Sequence, residues 1–205
     1  KHWNGEDWAE ENILKYNTRL SDKKAFDITL MYGINHTGYE TTTASSAQLS
    51  SDALGWNSLE LGSLLTNTSD AEETFGVSAM ARINYRFMER YLFTATARRD
   101  GSSVFAQNHK YATLPSVALS WLASEESFIK RIAVINFLKL RASYGAVGNQ
   151  AISPYQSLSL ASITHYVFSD GGASSLGIFP SNMANADLKW ETSYKTNIGV
   201  DFESF

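Results

Sequence analysis

The chain has no cysteine, so disulfides and thiolate-held metals are excluded. It contains only 3 prolines, so little interrupts extended ladders. No apolar run reaches the roughly 18 residues of a membrane-crossing helix. That exclusion leaves barrel strands open, because they show only alternation. Basic residues number 17 against 21 acidic ones, a net of -4, and no basic block exists, so a nucleic-acid partner is not expected. Catalytic and metal-binding patterns are missing too. His2, His36, His109 and His165 are widely spaced, with no His-x-His or His-Glu-x-x-His arrangement, so no metal is expected. Ser102 and Ser103 follow Asp100-Gly101 without an identifiable base, and an exposed turn explains them better. Glu125-Glu126 and the pair Asp187 and Glu191 are not fixed across a cleft, as glycoside hydrolysis demands. Gly145, Gly148 and Gly171-Gly172 lack the Lys-Ser/Thr and the helix of a phosphate loop. No enzyme and no cofactor is expected. The chain opens Lys1-His2-Trp3-Asn4, with neither initiator Met nor signal peptide, and a processed or excised fragment is expected.

What is present is aromatic and alternating. Aromatics reach 13%, with 10 Tyr and 11 Phe, residue types that fit a pleated, half-buried surface. Phe26, Ile28, Leu30, Tyr32 and Ile34 alternate with Asp27, Thr29, Met31, Gly33 and Asn35. Val77, Ala79, Ala81, Ile83 and Tyr85 do the same, and Tyr91, Phe93, Ala95 and Ala97 follow after a short link, so a hairpin is expected there. Similar patterns place about seven strands, at about 12–21, 25–38, 75–86, 91–101, 111–123, 137–146 and 188–203. Two long polar segments, about 39–74 and 146–187, read as loops. Glu125 to Val134 reads as a short helical or irregular turn.

One face of these strands is apolar, and the other carries Arg82, Arg98, Lys139, Arg141 and Lys195. Alternation alone fits a soluble β-sandwich, a carbohydrate-binding or adhesive module, as well as a barrel wall. Length separates them. Several strands span about 9 residues or more, which suits tilted membrane strands better than the soluble average of about 5–6. Aromatics beside the short links suit a membrane-interface girdle. The expected fold is therefore all-β, a transmembrane antiparallel β-barrel, with outer-membrane lipid against the apolar face and a lumen along the charged one.

The run from Arg82 through Tyr85-Arg86-Phe87 and Tyr91 to Arg99-Asp100-Gly101-Ser102-Ser103 resembles the SusC/RagA-type TonB-dependent transporters of Bacteroidota. Leu114-Pro115-Ser116-Val117-Ala118-Leu119-Ser120-Trp121, Leu138 to Gly145, Gly148-Asn149-Gln150 and Asn185 to Glu191 resemble the same family in the same order. Residues 1–75 resemble it only through pattern. Val104, Ala106 and His109-Lys110-Tyr111 depart from what relatives more often carry. The resemblance implies that the seven strands belong to a larger, 22-stranded barrel. It implies a plug domain that residues 1–205 do not include, a TonB complex reached through that absent region, a SusD-like surface lipoprotein as lid, and a glycan or peptide substrate.

Residue roles are expected as follows. Arg99 and Asp100 anchor an outer loop through charge-assisted hydrogen bonds where a strand leaves the wall. Arg82, Arg98, Lys139, Arg141 and Lys195 face the lumen. Trp56, Tyr166 and Trp190 are candidates for substrate or lid contact, since flat aromatic faces stack on sugar rings, although Trp190 at a strand start also suits a structural role.

Overall fold

The computed structural model describes residues 1–51, 53–168 and 172–204; Gly171 lies outside them. Nine strands form, β1 His2–Ser21, β2 Lys24–Leu49, β3 Gly62–Phe87, β4 Tyr91–Ser102, β5 Tyr111–Leu122, β6 Ile135–Asn149, β7 Ala161–Tyr166, β8 Ser175–Pro180 and β9 Glu191–Ser204. Seven build one open sheet in the order β1-β2-β3-β4-β5-β6-β9, and β7 pairs only with β8. Every pairing is antiparallel. The seven expected strands all belong to this sheet, with β1 beginning at His2 rather than at about residue 12.

Two-residue and three-residue links close one end of the sheet. Asp22-Lys23 joins β1 to β2. Met88, Glu89 and Arg90 join β3 to β4, with φ of 53° at Met88 and 57° at Glu89. Those left-handed values match the twist of a tight hairpin but usually draw Gly or Asn, which is why the sequence hides the turn type. A 3-10 turn forms at Ala123–Glu125, ahead of most of the expected 125–134 segment, which is itself irregular, made of bends and turns.

The segment 39–74 is not an irregular loop. Thr43 pairs with Thr68 and Ala47 with Leu64, so β2 and β3 run on as a two-stranded ribbon, and only 50–61 leaves the ladder. Thr-rich strands fit the pleat, but a ribbon polar on both faces shows no alternation. The segment 146–187 likewise holds the end of β6 and the β7–β8 hairpin.

The sheet has almost no core. Buried apolar residues are Val104, Phe105, Ala106, Ala112 and Ala123, mostly beneath the loop after β4. Meanwhile Ile198 is 82% exposed, Leu14 65% and Leu119 59%. Ile83 and Phe93 are exposed as well. A soluble sandwich would bury these against a second sheet, and among the described residues none covers them. Apolar surface on this scale marks a contact with something other than water.

Register shows how that face is bounded. Antiparallel partners share a face, so Tyr16, Ile28, Ile83, Ala95, Val117 and Tyr144 form one row across six strands. Toward the short links the apolar face ends in a stacked aromatic row. Phe26 lies 4.5 Å from Tyr85, Phe87 6.2 Å from Tyr91, and Tyr91 6.5 Å from Trp121, centroid to centroid. Toward the long connections it ends at Trp8 and Phe75 on either side of His36, then at Tyr111, and at Tyr144 against Tyr194. Neither border follows the ladder. From Trp8 on β1 to Tyr194 on β9 the upper border drops three rows, about 20 Å along the strands over about 29 Å of sheet. From Phe26 to Phe202 the lower border drops two rows, about 13 Å over about 24 Å. Both slopes put the strands about 30–35° from the normal to the band, close to the tilt of membrane barrels.

Candidate functional site: a two-faced wall

The polar face opposes the apolar one residue by residue. Arg86, Arg19 and Arg141 share its row nearest the short links. Each has a carboxylate nearby, Asp27 at 4.0 Å from Arg86, Glu89 at 3.9 Å from Arg19 and Asp201 at 3.0 Å from Arg141. The adjoining row holds Asn17, Asp27, Asn84 and Asn197, and Thr94 donates its hydroxyl to Asn84 Oδ1 at 2.8 Å. Arg82 donates from Nε to Thr96 Oγ1 at 3.2 Å. Lys139 and Lys195 stand on the same face, paired in register with Asp201 and Gly145. All five cations expected to share a face therefore do so, because they occupy matching parities on paired strands.

Arg99 and Asp100, expected to anchor the outer loop, stand on opposite faces with different partners. Neighbours along a strand point to opposite faces, so Asp100 meets Arg98, two residues back, with both carboxylate oxygens 2.8 Å from Nε. Arg99 emerges on the apolar face, its guanidinium carbon 5.0 Å from the centre of the Tyr111 ring. It lies one row inside the upper aromatic border, next to Tyr111.

The loop base after β4 is held by other groups. The Ser103 N–H donates to the Phe75 carbonyl, and the Phe75 N–H donates to Ser103 Oγ, both at 2.9 Å. Phe105, 2% exposed, packs on Trp190 at 4.9 Å, and the Trp190 indole N–H donates to the Lys110 carbonyl at 2.9 Å. A side chain at Gly148 would meet the Trp190 ring at 3.1 Å, so the glycine there makes room for the indole. Trp190 is thus committed to the wall. Trp56 is 83% exposed, in the 3-10 turn Gly55–Asn57 at the ribbon tip. Tyr166 is exposed at the end of β7, edge-on to Phe168 at 4.8 Å. The structure brings none of these three together.

Two features escaped sequence reasoning. At the short-link end Glu126 gathers three donors, Tyr91 Oη at 2.6 Å, Arg90 Nη1 at 2.9 Å and Trp121 Nε1 at 3.3 Å. The Tyr91 hydroxyl, with the indole and the guanidinium, holds this carboxyl below its ordinary range. Arg90 and Glu126 come from separate links and Tyr91 and Trp121 from the strands between, so no local spacing announces the cluster. At the other end the Glu73 N–H donates to Tyr155 Oη at 3.0 Å, tying the ribbon to the connection before β7. Among the described residues no group of His, Asp and Glu could hold a metal ion.

A polar ladder face, an uncovered apolar face and two aromatic borders are what a membrane-spanning wall requires, and the comparisons with known proteins agree. The family model "TonB dependent receptor-like, beta-barrel" matches residues 3–205. The chain belongs to the SusC/RagA-like TonB-dependent receptor family. The TonB-dependent receptor P3 of Formosa agariphila is 37% identical over 198 residues, covering 95% of this chain and 19% of that protein. TonB-dependent receptor SusC of Bacteroides thetaiotaomicron is 32% identical over 209 residues, covering 98% and 20%. Among solved structures, the RagAB peptide transporter superposes with a TM-score of 0.83 at 26% identity, covering 99% of this chain and 22% of that one. The RagAB peptide importer in the open-open state gives 0.85 at 25% identity, with the same coverages. The chain spans about a fifth of the length of these relatives. As a stretch of barrel of this family, the chain is assigned to the outer membrane.

Proposed function

We propose that the chain is a section of the wall of a closed, 22-stranded barrel through which a longer polypeptide imports glycans or peptides. The carrying observation is the uncovered apolar face with its two sloping aromatic borders. The apolar face meets lipid, and Arg82, Arg98, Lys139, Arg141 and Lys195 line the lumen. The short links at Asp22-Lys23 and Met88–Arg90 face the periplasm, while the ribbon of β2 and β3 and the β7–β8 hairpin stand outside the cell. β1 and β9 are open edges that want neighbours, which further strands of the longer polypeptide supply. A plug elsewhere in that polypeptide engages the TonB complex, and a SusD-like lipoprotein sits over the outer connections, where Trp56 and Tyr166 are exposed to it or to cargo.

Uptake by cells carrying the full-length gene tests this. Labelled oligosaccharides and peptides are offered to cells with and without TonB. TonB-dependent accumulation of at least one of them is expected. Equal accumulation in both strains, or a full-length protein absent from the outer-membrane fraction, overturns the reading.

A further inference from the structure

On the polar face one row differs from its neighbours. Lys15, Thr29, Arg82, Thr96, Ser116 and Lys195 fall on a single line of register across the seven strands, with Gly145 completing it. The row holds three cations and three hydroxyls and no carboxylate. The ion pairs of this face among the described residues involve Arg19, Arg86, Arg98 and Arg141, and none includes Lys15, Arg82 or Lys195. Adjacent strands stand about 4.8 Å apart, so Lys15 and Arg82 are about 10 Å apart and Arg82 and Lys195 about 19 Å. Single exposed lysines are ordinary. What distinguishes this row is one sign of charge along a line, beside an arginine row whose members all have carboxylate neighbours.

We propose that this row binds an acidic glycan, an oligosaccharide bearing repeated carboxylate or sulfate groups, as it passes along the wall. The inference rests on the transport reading above and names its substrate class. Charge complementarity supplies the anion preference, and Arg82 suits a planar carboxylate through its two-pronged guanidinium. The next row favours sugar over peptide. Asn17, Asn84 and Asn197 lie one row toward the periplasm, their amides able to donate and to accept as sugar hydroxyls require, and Asp27, the carboxylate of that row, lies 4.0 Å from Arg86.

The test uses the full-length transporter purified from outer membranes, titrated with heptagalacturonate, maltoheptaose and hepta-glutamate. Tightest binding to heptagalacturonate is expected, weakening as salt rises. The variant Lys15→Gln/Arg82→Gln/Lys195→Gln should bind it about tenfold more weakly, since three exposed pairs are lost together. Lys130→Gln, in the link before β6, should bind as the wild type does. Gel mobility of unheated samples checks that each variant remains a folded barrel. The proposal is overturned if the wild type fails to bind heptagalacturonate, or binds maltoheptaose or hepta-glutamate as tightly. It is also overturned if the folded triple variant binds like the wild type. In each of those cases TonB-dependent uptake of another probe leaves the transport reading standing.

Discussion

Ile198→Arg tests the membrane assignment most sharply. Ile198 lies midway between Tyr194 and Phe202, the border aromatics of β9. Those borders are eight residues apart, about 27 Å along the strand and about 22 Å in height at the slope derived from the register. Ile198 therefore sits about 11 Å from either border, at the centre of the band. An arginine at the midplane of a lipid-facing barrel surface costs about 2–4 kcal/mol, and one near the interface about 0–1 kcal/mol. Asn197→Arg, one residue away, turns to the polar face and should cost close to nothing. Tyr194→Arg should fall between, at about 1 kcal/mol. The assay is denaturant titration of the full-length protein folded into phospholipid vesicles, with the unheated gel shift as fold check. A difference of about 3 kcal/mol between Ile198→Arg and Asn197→Arg is a factor of roughly 150 in the folding equilibrium. Equal stabilities for these two neighbours, or a larger loss at Asn197, would refute the assignment of faces.

Two further outcomes follow from the turns and loops. Trp190→Ala removes the indole that packs on Phe105 and donates to the Lys110 carbonyl, so the 103–110 loop should lose about 2–3 kcal/mol of local stability. Limited proteolysis should then cut at 103–110 before any other site, while Trp56→Ala leaves the pattern unchanged. Glu126 is held below the ordinary carboxylate value of 4.5, so its contribution is complete above that value and is lost as pH falls through the lowered one. Trp121 donates to this carboxylate, so its fluorescence should change on acidification in the wild type, and Glu126→Gln should abolish that component.

The parts of the fold legible in the sequence are those where one face is apolar. Phe26 to Ile34 and Thr192 to Phe202 announce themselves because one face carries an apolar or aromatic residue at nearly every second position. The ribbon beyond Tyr39 is as regular, yet neither of its faces is selected for apolarity, so only the ladder reveals it. The same parity rule separates the two residues expected to anchor the loop. Arg99 and Asp100 are neighbours in sequence and therefore on opposite faces, whereas Arg98 and Asp100 share one. Lys15 was within reach of sequence reasoning, since Leu14 and Tyr16 flank it on the apolar side. Its row with Arg82 and Lys195 was not, because rows depend on register between strands up to 180 residues apart. Glu126 and Tyr155 belong to the same class of long-range contact.

The ribbon has a mechanical consequence. β4 ends opposite Gly76, and from there β3 continues to Gly62 with only β2 beside it. β1 stays paired with β2 as far as Thr42, opposite Ser69, so the unbraced part of β3 is the seven residues Gly62–Thr68, an arm about 23 Å long. A rotation of about 10° at its foot carries the tip, with Trp56, through about 4 Å. Below that foot the ladder of β1 is joined by Ser103 on Phe75 and by Tyr155 on Glu73. The position of the most exposed tryptophan is thus set by leverage, from a three-stranded foot at the rim of the wall.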